Sequence, residues 1–215
     1  MSYIDKNNIL ASIKTRDFVS FELGCGAKKT NPQAIGIDIL DYPQVDIVGD
    51  IFEVLAACPA HSVDAIFSSH FFEHIERVDL LLEVIARVLK DDGKLEIIVP
   101  HFSNPYFYSD YSHKTMFGLY SFSYFAKDGF LKRKVPNYNK ELRFKLERVD
   151  LFFKSPKPFY FRYALKKVIQ LFVNLTSFTK EFYEENLCYM IPCYEVGYRL
   201  VKRDNQQHNL KVINT

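Results

Sequence analysis

The sequence contains no C-x-x-C pair: its four cysteines, Cys25, Cys58, Cys188 and Cys193, show no metal-type spacing. Reduced thiols in the cytoplasm are therefore expected. No apolar run approaches the roughly 18 residues needed to span a bilayer, which argues against an integral membrane protein. The first ten residues, MSYIDKNNIL, lack an apolar signal region. There is no internal repeat and no low-complexity segment, and the polar end DNQQHNLKVINT is expected to fray.

What is present is a chain of 215 residues, 48% hydrophobic and 25% charged, enough for one α/β domain with a sizeable core. The net charge of +2 is unevenly spread: residues 1–100 carry 16 acids and 9 bases, and residues 127–167 carry 4 acids and 13 bases. The later basic segment suits an anionic partner or a solvated basic face. Over the first hundred residues short β-rich runs alternate with helical patterns, as in a parallel sheet flanked by helices. FVSFEL, AIGID, VDIVGD, VDAIFSSH and KLEIIVP read as five strands. In VDLLLEVIARVLKDDG, residues Leu81, Leu82, Ile85, Val88 and Leu89 form one helical face, which the Asp91-Asp92-Gly93 turn closes. Only about eight residues separate Gly26 from the second strand, whereas a crossover helix needs about a dozen. At most one helical turn is expected there, with that sheet face thinly covered. Of the 26 residues from His101 to Ala126, 10 are Phe or Tyr. FKLERVDLFF then reads as a sixth strand, residues 159–178 as one long amphipathic helix and EVGYRLVKR as a last strand, so that the sheet ends in an antiparallel pair.

FELGCGAKKT places an acid and a Gly-x-Gly pair at the end of the first strand. A phosphate loop needs a Gly-Lys-Ser/Thr ending with a helix behind it, and neither follows. A dinucleotide loop needs G-x-G-x-x-G, but Lys29 occupies the third glycine position. S-adenosylmethionine needs close backbone approach and an acidic group without a pyrophosphate cradle.

E-L-G-C-G, then G-I-D-I, V-D-I-V-G-D, V-D-A-I-F-S-S-H-F-F-E-H-I and R-V-L-K-D-D-G-K-L-E-I-I-V-P together cover residues 21–100. In order and spacing they resemble the class I S-adenosylmethionine-dependent methyltransferases, in particular the small type 11 branch. The resemblance implies a Rossmann-like α/β fold with a mostly parallel seven-stranded sheet and an antiparallel final strand. It also implies that Glu22, Gly24 and Gly26 approach the methionine end of the cofactor, and that Asp38 accepts from the ribose hydroxyls. Asp50 and the backbone of Ile51 would meet adenine, and Ser69 and His70 would face the reacting methyl. Lys28 stands where the fuller E-x-G-x-G-x-G form has its third glycine. Taken singly, the glycines also suit a tight turn and the two aspartates helix caps.

For a hydroxyl acceptor the enzyme must align the reactants and remove a proton. His70, His74, His101 and His113 fall at or after the ends of the fourth and fifth strands, where open parallel sheets bind ligands. His101 and His113, with Asp110 orienting, are the candidate catalytic residues. Each also suits a structural role, at a strand end or on a loop carbonyl. Tyr106, Tyr108 and Tyr111 suit stacking on a sugar or planar acceptor as well as lid packing. Glu73 and His74 form a pair common in the type 11 branch and are read as structural, with no metal expected. The alternative is that His70, Glu73 and His74, with a distal histidine, resemble the metal cluster of terminal-ribose RNA methyltransferases.

The expected organisation is one domain over residues 1–203, with a cofactor half at 17–100, an aromatic and basic acceptor lid at 101–158, and the helix and last strand at 159–203. A small-molecule or saccharide acceptor is expected and a nucleic acid is not; the absence of an N/D-P-P-Y/F motif after the fourth strand argues against base amines as targets. The helix at 159–178 is expected to pack on the core, the alternative being peripheral membrane contact. The competing functions are a noncatalytic S-adenosylmethionine-binding module and an RNA methyltransferase.

Overall fold

In SFEL, apolar Phe21 and Leu23 alternate with Ser20 and Glu22, so period 2 sends the two sets to opposite faces of a strand. The computed structural model, which describes residues 3–136, 138 and 143–203, extends this alternation across a nine-stranded sheet. The strands are β1 (Ile4–Asp5), β2 (Ser20–Leu23), β3 (Ile35–Asp38), β4 (Ile47–Val48), β5 (Val63–Ser69), β6 (Leu89–Pro100), β7 (Ala126–Asp128), β8 (Phe144–Phe152) and β9 (Glu195–Lys202). The helices are α1 (Ile9–Ser12), α2 (Ile51–Ala57), α3 (Val78–Val88), α4 (Tyr160–Val173) and α5 (Ser177–Asn186). The spatial order is β1-β4-β3-β2-β5-β6-β9-β8-β7. β4, β3, β2, β5 and β6 run parallel, and β9 lies antiparallel between β6 and β8.

One transverse row, Ile35, Phe21, Ile66, Leu95, Leu200 and Leu146, is in register across six strands, and all six side chains are buried. Val54 and Leu55 of α2 and Leu81, Leu82, Ile85 and Val88 of α3 join the same core cluster, as the helical periodicity requires. The next row, on the opposite face, reads Gly36, Glu22, Phe67, Glu96, Arg199 and, past a bulge, Arg148. It borders an open groove of about 560 Å³.

The seven expected strands are present, with β1 and the three-residue β7 added at the two edges. No helix stands between β2 and β3. Instead Glu22 accepts the backbone N–H groups of Thr30 and Asn31 at 2.7 and 2.9 Å, which folds the loop back. Lys28 is exposed, and Lys29 pairs with Asp46 at 2.9 Å. The loop leaves the sheet after Gly26, so no third glycine is required at a helix start.

Two boundaries differ from the sequence reading. α3 stops at Val88, and Asp91-Asp92-Gly93 lies inside β6 as an irregularity, between the Val63–Leu89 and Ala65–Lys94 pairs. Asp92 takes a φ of 60°, which Asp tolerates. The long helix is two: Asn174 ends α4, and Thr176 starts α5 through a reciprocal capping box with Thr179.

Candidate functional site

The ends of β2, β3 and β4 are tied together by backbone bonds. The Gly24 N–H donates to the Ile37 carbonyl at 2.9 Å, and the Gly49 N–H donates to the Asp38 carbonyl at 2.9 Å. Asp38 itself accepts from the Gly26 N–H at 2.8 Å and the Leu40 N–H at 2.9 Å. Each carboxylate oxygen thus keeps acceptor capacity beyond its one loop bond. Gly24 and Gly26 have φ of 65° and 58°, a left-handed region costly for other residues. A Cβ on Gly24 would lie 2.6 Å from the Phe71 ring, whereas one on Gly26 would meet open space. Asp50 caps α2 by accepting from Phe52 and Glu53 at 2.9 and 3.3 Å, and Ile51 is buried behind it. Asp50 therefore caps a helix, as its single-residue reading had it, whereas Asp38 holds two loop N–H groups and no helix starts beside it. Glu22 differs: it is buried and committed to the Thr30–Asn31 loop. Cys25 sits between the glycines with its thiol pushed up to about 11 by burial first, then by Asp38 and Glu22. It is a packing group at neutral pH.

β5 ends at Ser69, and His70 takes a φ of 55°. The His70 ring is half exposed, with Nε2 3.0 Å from Glu195 and Nδ1 3.3 Å from Glu73. These carboxylates, Glu195 foremost, push the imidazole up to about 9, against burial. Glu195 is also held by Lys154 at 2.6 Å. Burial pushes its carboxyl up, but the His70 and Lys154 bonds outweigh it and leave the group below the ordinary carboxylate range.

His101 and His113 part company. His101 is 0% exposed, with Nδ1 2.8 Å from Ser103 Oγ and Nε2 3.0 Å from Glu184. Both ring nitrogens are spent, Nδ1 on the turn that follows β6 and Nε2 on α5. His113 instead joins His74, whose ring centroid lies 4.9 Å away, together with Glu73 and Asp110. Asp110 holds Ser112 and lies 3.6 Å from His113 Nε2. The Ser112 bonds keep this exposed carboxyl below its usual range.

Among the lid aromatics, Phe117 and Phe122 are buried, while Tyr106, Tyr108 and Tyr111 are exposed. α4 overturns its expected packing: Val173 is its one buried residue, whereas Phe161 is 85% exposed and Leu165, Val168 and Phe172 are also exposed. No helix of the described residues is long and apolar enough to cross a membrane. Sequence reading missed Glu184, Glu195 and Ser112. Their partners lie 83, 125 and 38 residues away, beyond any local pattern.

Residues 21–97, a little over a third of the chain, match the methyltransferase domain family of type 11. No curated protein matches the chain by sequence. The chain is similar to the solved S-adenosylmethionine-dependent methyltransferase from Archaeoglobus fulgidus, with TM-score 0.56 and 16% identity over 91% of this chain and 90% of that one. It is also similar to phosphoethanolamine N-methyltransferase 2 of Haemonchus contortus, with TM-score 0.51 and 14% identity over 93% of this chain and 52% of that one. At such identities these structures establish a shared fold. Residues 21–97 match a methyltransferase domain of type 11, and the chain has the fold of an S-adenosylmethionine-dependent methyltransferase.

Proposed function

We propose that the chain transfers a methyl group from S-adenosylmethionine to a hydroxyl oxygen of a small-molecule or saccharide acceptor. The observation that carries this reading is the bonded edge of β2, β3 and β4, where Gly26, Asp38 and Asp50 are presented side by side. The residues fit the cofactor: Gly26 offers open space, and Asp38 retains lone pairs for two ribose hydroxyls. Asp50 and Ile51 take the adenine end, Gly24 and Gly26 the methionine end, and Ser69 and His70 border the reacting methyl. Glu22 acts by holding the loop in shape. The bound cofactor supplies a methyl group on a sulfonium, which is displaced in line.

Residues 101–158 form the acceptor lid, in which Tyr106, Tyr108 and Tyr111 offer rings to a sugar or planar acceptor. The acceptor proton leaves through the cluster around His113 and Asp110; enclosed His101 positions α5 instead. In the test, the pure protein is titrated with S-adenosylmethionine by calorimetry, followed by radiolabelled methyl transfer into fractionated extracts. One cofactor per chain, bound about tenfold more weakly in Asp38→Ala, is expected. Binding unchanged by that substitution would overturn the reading.

A lipid-linked acceptor is the second reading, favoured by the exposed apolar residues of α4 next to Arg162, Lys166 and Lys167. Sedimentation with anionic vesicles at low salt tests it. Absence of binding rejects it.

A further inference from the structure

The Glu73 side chain is 1% exposed, and neither carboxylate oxygen has a hydrogen-bond partner. His70 Nδ1 lies 3.3 Å from Oε1 but outside hydrogen-bonding geometry. The His70 imidazolium offsets part of its charge, but a buried carboxylate without a hydrogen bond is costly and has room for a further cation. The two histidines beside it have their tautomers set from behind. His113 Nδ1 lies 2.9 Å from the Phe107 carbonyl, which only accepts, so Nδ1 carries a proton and, in the neutral ring, the Nε2 lone pair is bare. That nitrogen faces Glu73 Oε1 at 4.0 Å and Asp110 Oδ2 at 3.6 Å, where a proton or a metal ion would join it to the two carboxylates. At His74, Ser112 Oγ spends its one proton on Asp110 Oδ1 at 2.5 Å. It therefore accepts from His74 Nδ1 at 3.1 Å, which leaves His74 Nε2 bare as well. One ligand atom each from Glu73, His74 and His113 falls within 4.8 Å of the others. Rings oriented by an outer carbonyl or hydroxyl, with the far nitrogen turned inward, are the usual support of metal-bound imidazoles.

We propose that Glu73, His74 and His113 bind one divalent transition-metal ion of the zinc class, leaving coordination positions for water or an acceptor oxygen. Two imidazoles and one carboxylate are a donor set for zinc or ferrous iron, with room for further ligands. His70 is not a ligand, because its ring is held between Glu73 and Glu195. The proposal rests on the acceptor site described above and specifies it: an acceptor hydroxyl bound to the ion becomes acidic and loses its proton to water before its oxygen attacks.

The test uses the full chain, with metal content measured by elemental analysis and Zn²⁺ and Co²⁺ titrated by calorimetry and absorption. One ion per chain and a nitrogen-containing Co²⁺ spectrum are expected, both lost in Glu73→Gln and in His113→Asn. Ser112→Ala should weaken the site about tenfold, as loss of an outer partner does, and His61→Asn should leave it unchanged. Circular dichroism identifies any variant that fails to fold, and the remaining two then decide. Absence of stoichiometric binding, or binding retained in the folded ligand variants, overturns the proposal. S-adenosylmethionine titration of the same samples is scored separately, so failure of the metal site and failure of the cofactor reading are distinguishable.

Discussion

The cofactor edge and the acceptor side of this molecule are assembled from different kinds of contact. Along the cofactor edge the decisive bonds each use a backbone N–H and join residues near in sequence, as from Gly24 to the Ile37 carbonyl or from Phe52 to the Asp50 carboxylate. On the acceptor side they are side-chain pairs across long separations, such as His101 with Glu184 and His70 with Glu195. The first kind depends on conformation and is intolerant of an added Cβ. The second depends on packing of the C-terminal half onto β6, and is intolerant of lost volume or lost charge.

Six substitutions probe this contrast. The largest effect is expected at Phe122, fully buried between Phe117, Phe72 and Tyr198. Phe122→Ala should cost about 3–5 kcal/mol in denaturant unfolding, which would establish that the lid is part of the core. On the cofactor edge, Gly24→Ala should cost about 2–4 kcal/mol, because strain and the Phe71 collision add, against about 1–2 for Gly26→Ala. Equal costs at the two glycines would break the steric account. Asp38→Ala should weaken cofactor binding about tenfold, roughly 1.4 kcal/mol by calorimetry.

Glu195→Gln should cost about 1–2 kcal/mol at neutral pH. Because the folded carboxyl titrates below its unfolded value, its contribution is complete above the ordinary carboxylate range. It fades as pH falls through the folded value. Wild type and variant should therefore converge on acidification, and a gap that widens in acid would refute the pairing. The smallest effect on stability is expected from Phe161→Ser on α4, no more than about 0.5 kcal/mol. A larger loss would mean that this face packs on something within the chain.

The sheet, α2 and α3 were legible because burial on one face imposes a periodicity that single residues report, as Phe21 and Leu23 or Leu81 and Ile85 do. The absent helix after β2 was legible from chain length alone. The division of α4 from α5 was less so: the apolar spacing runs straight through Asn174, and only the Thr176–Thr179 cap stops it. The histidines could be located at strand ends but not assigned. Whether His101 or His113 is enclosed depends on where α5 lands, and no local pattern records that.

By itself the sequence determined the strands of the cofactor half and its likeness to a methyltransferase domain, since glycines at positive φ and carboxylates at strand ends are demands of the local backbone. Only the tertiary structure decided that His101 is shut inside, that Glu73 faces His74 and His113, and that α4 presents its apolar side outward. Those outcomes arise from pairing between β6, β9 and α5, whose partners meet only when segments about a hundred residues apart pack together.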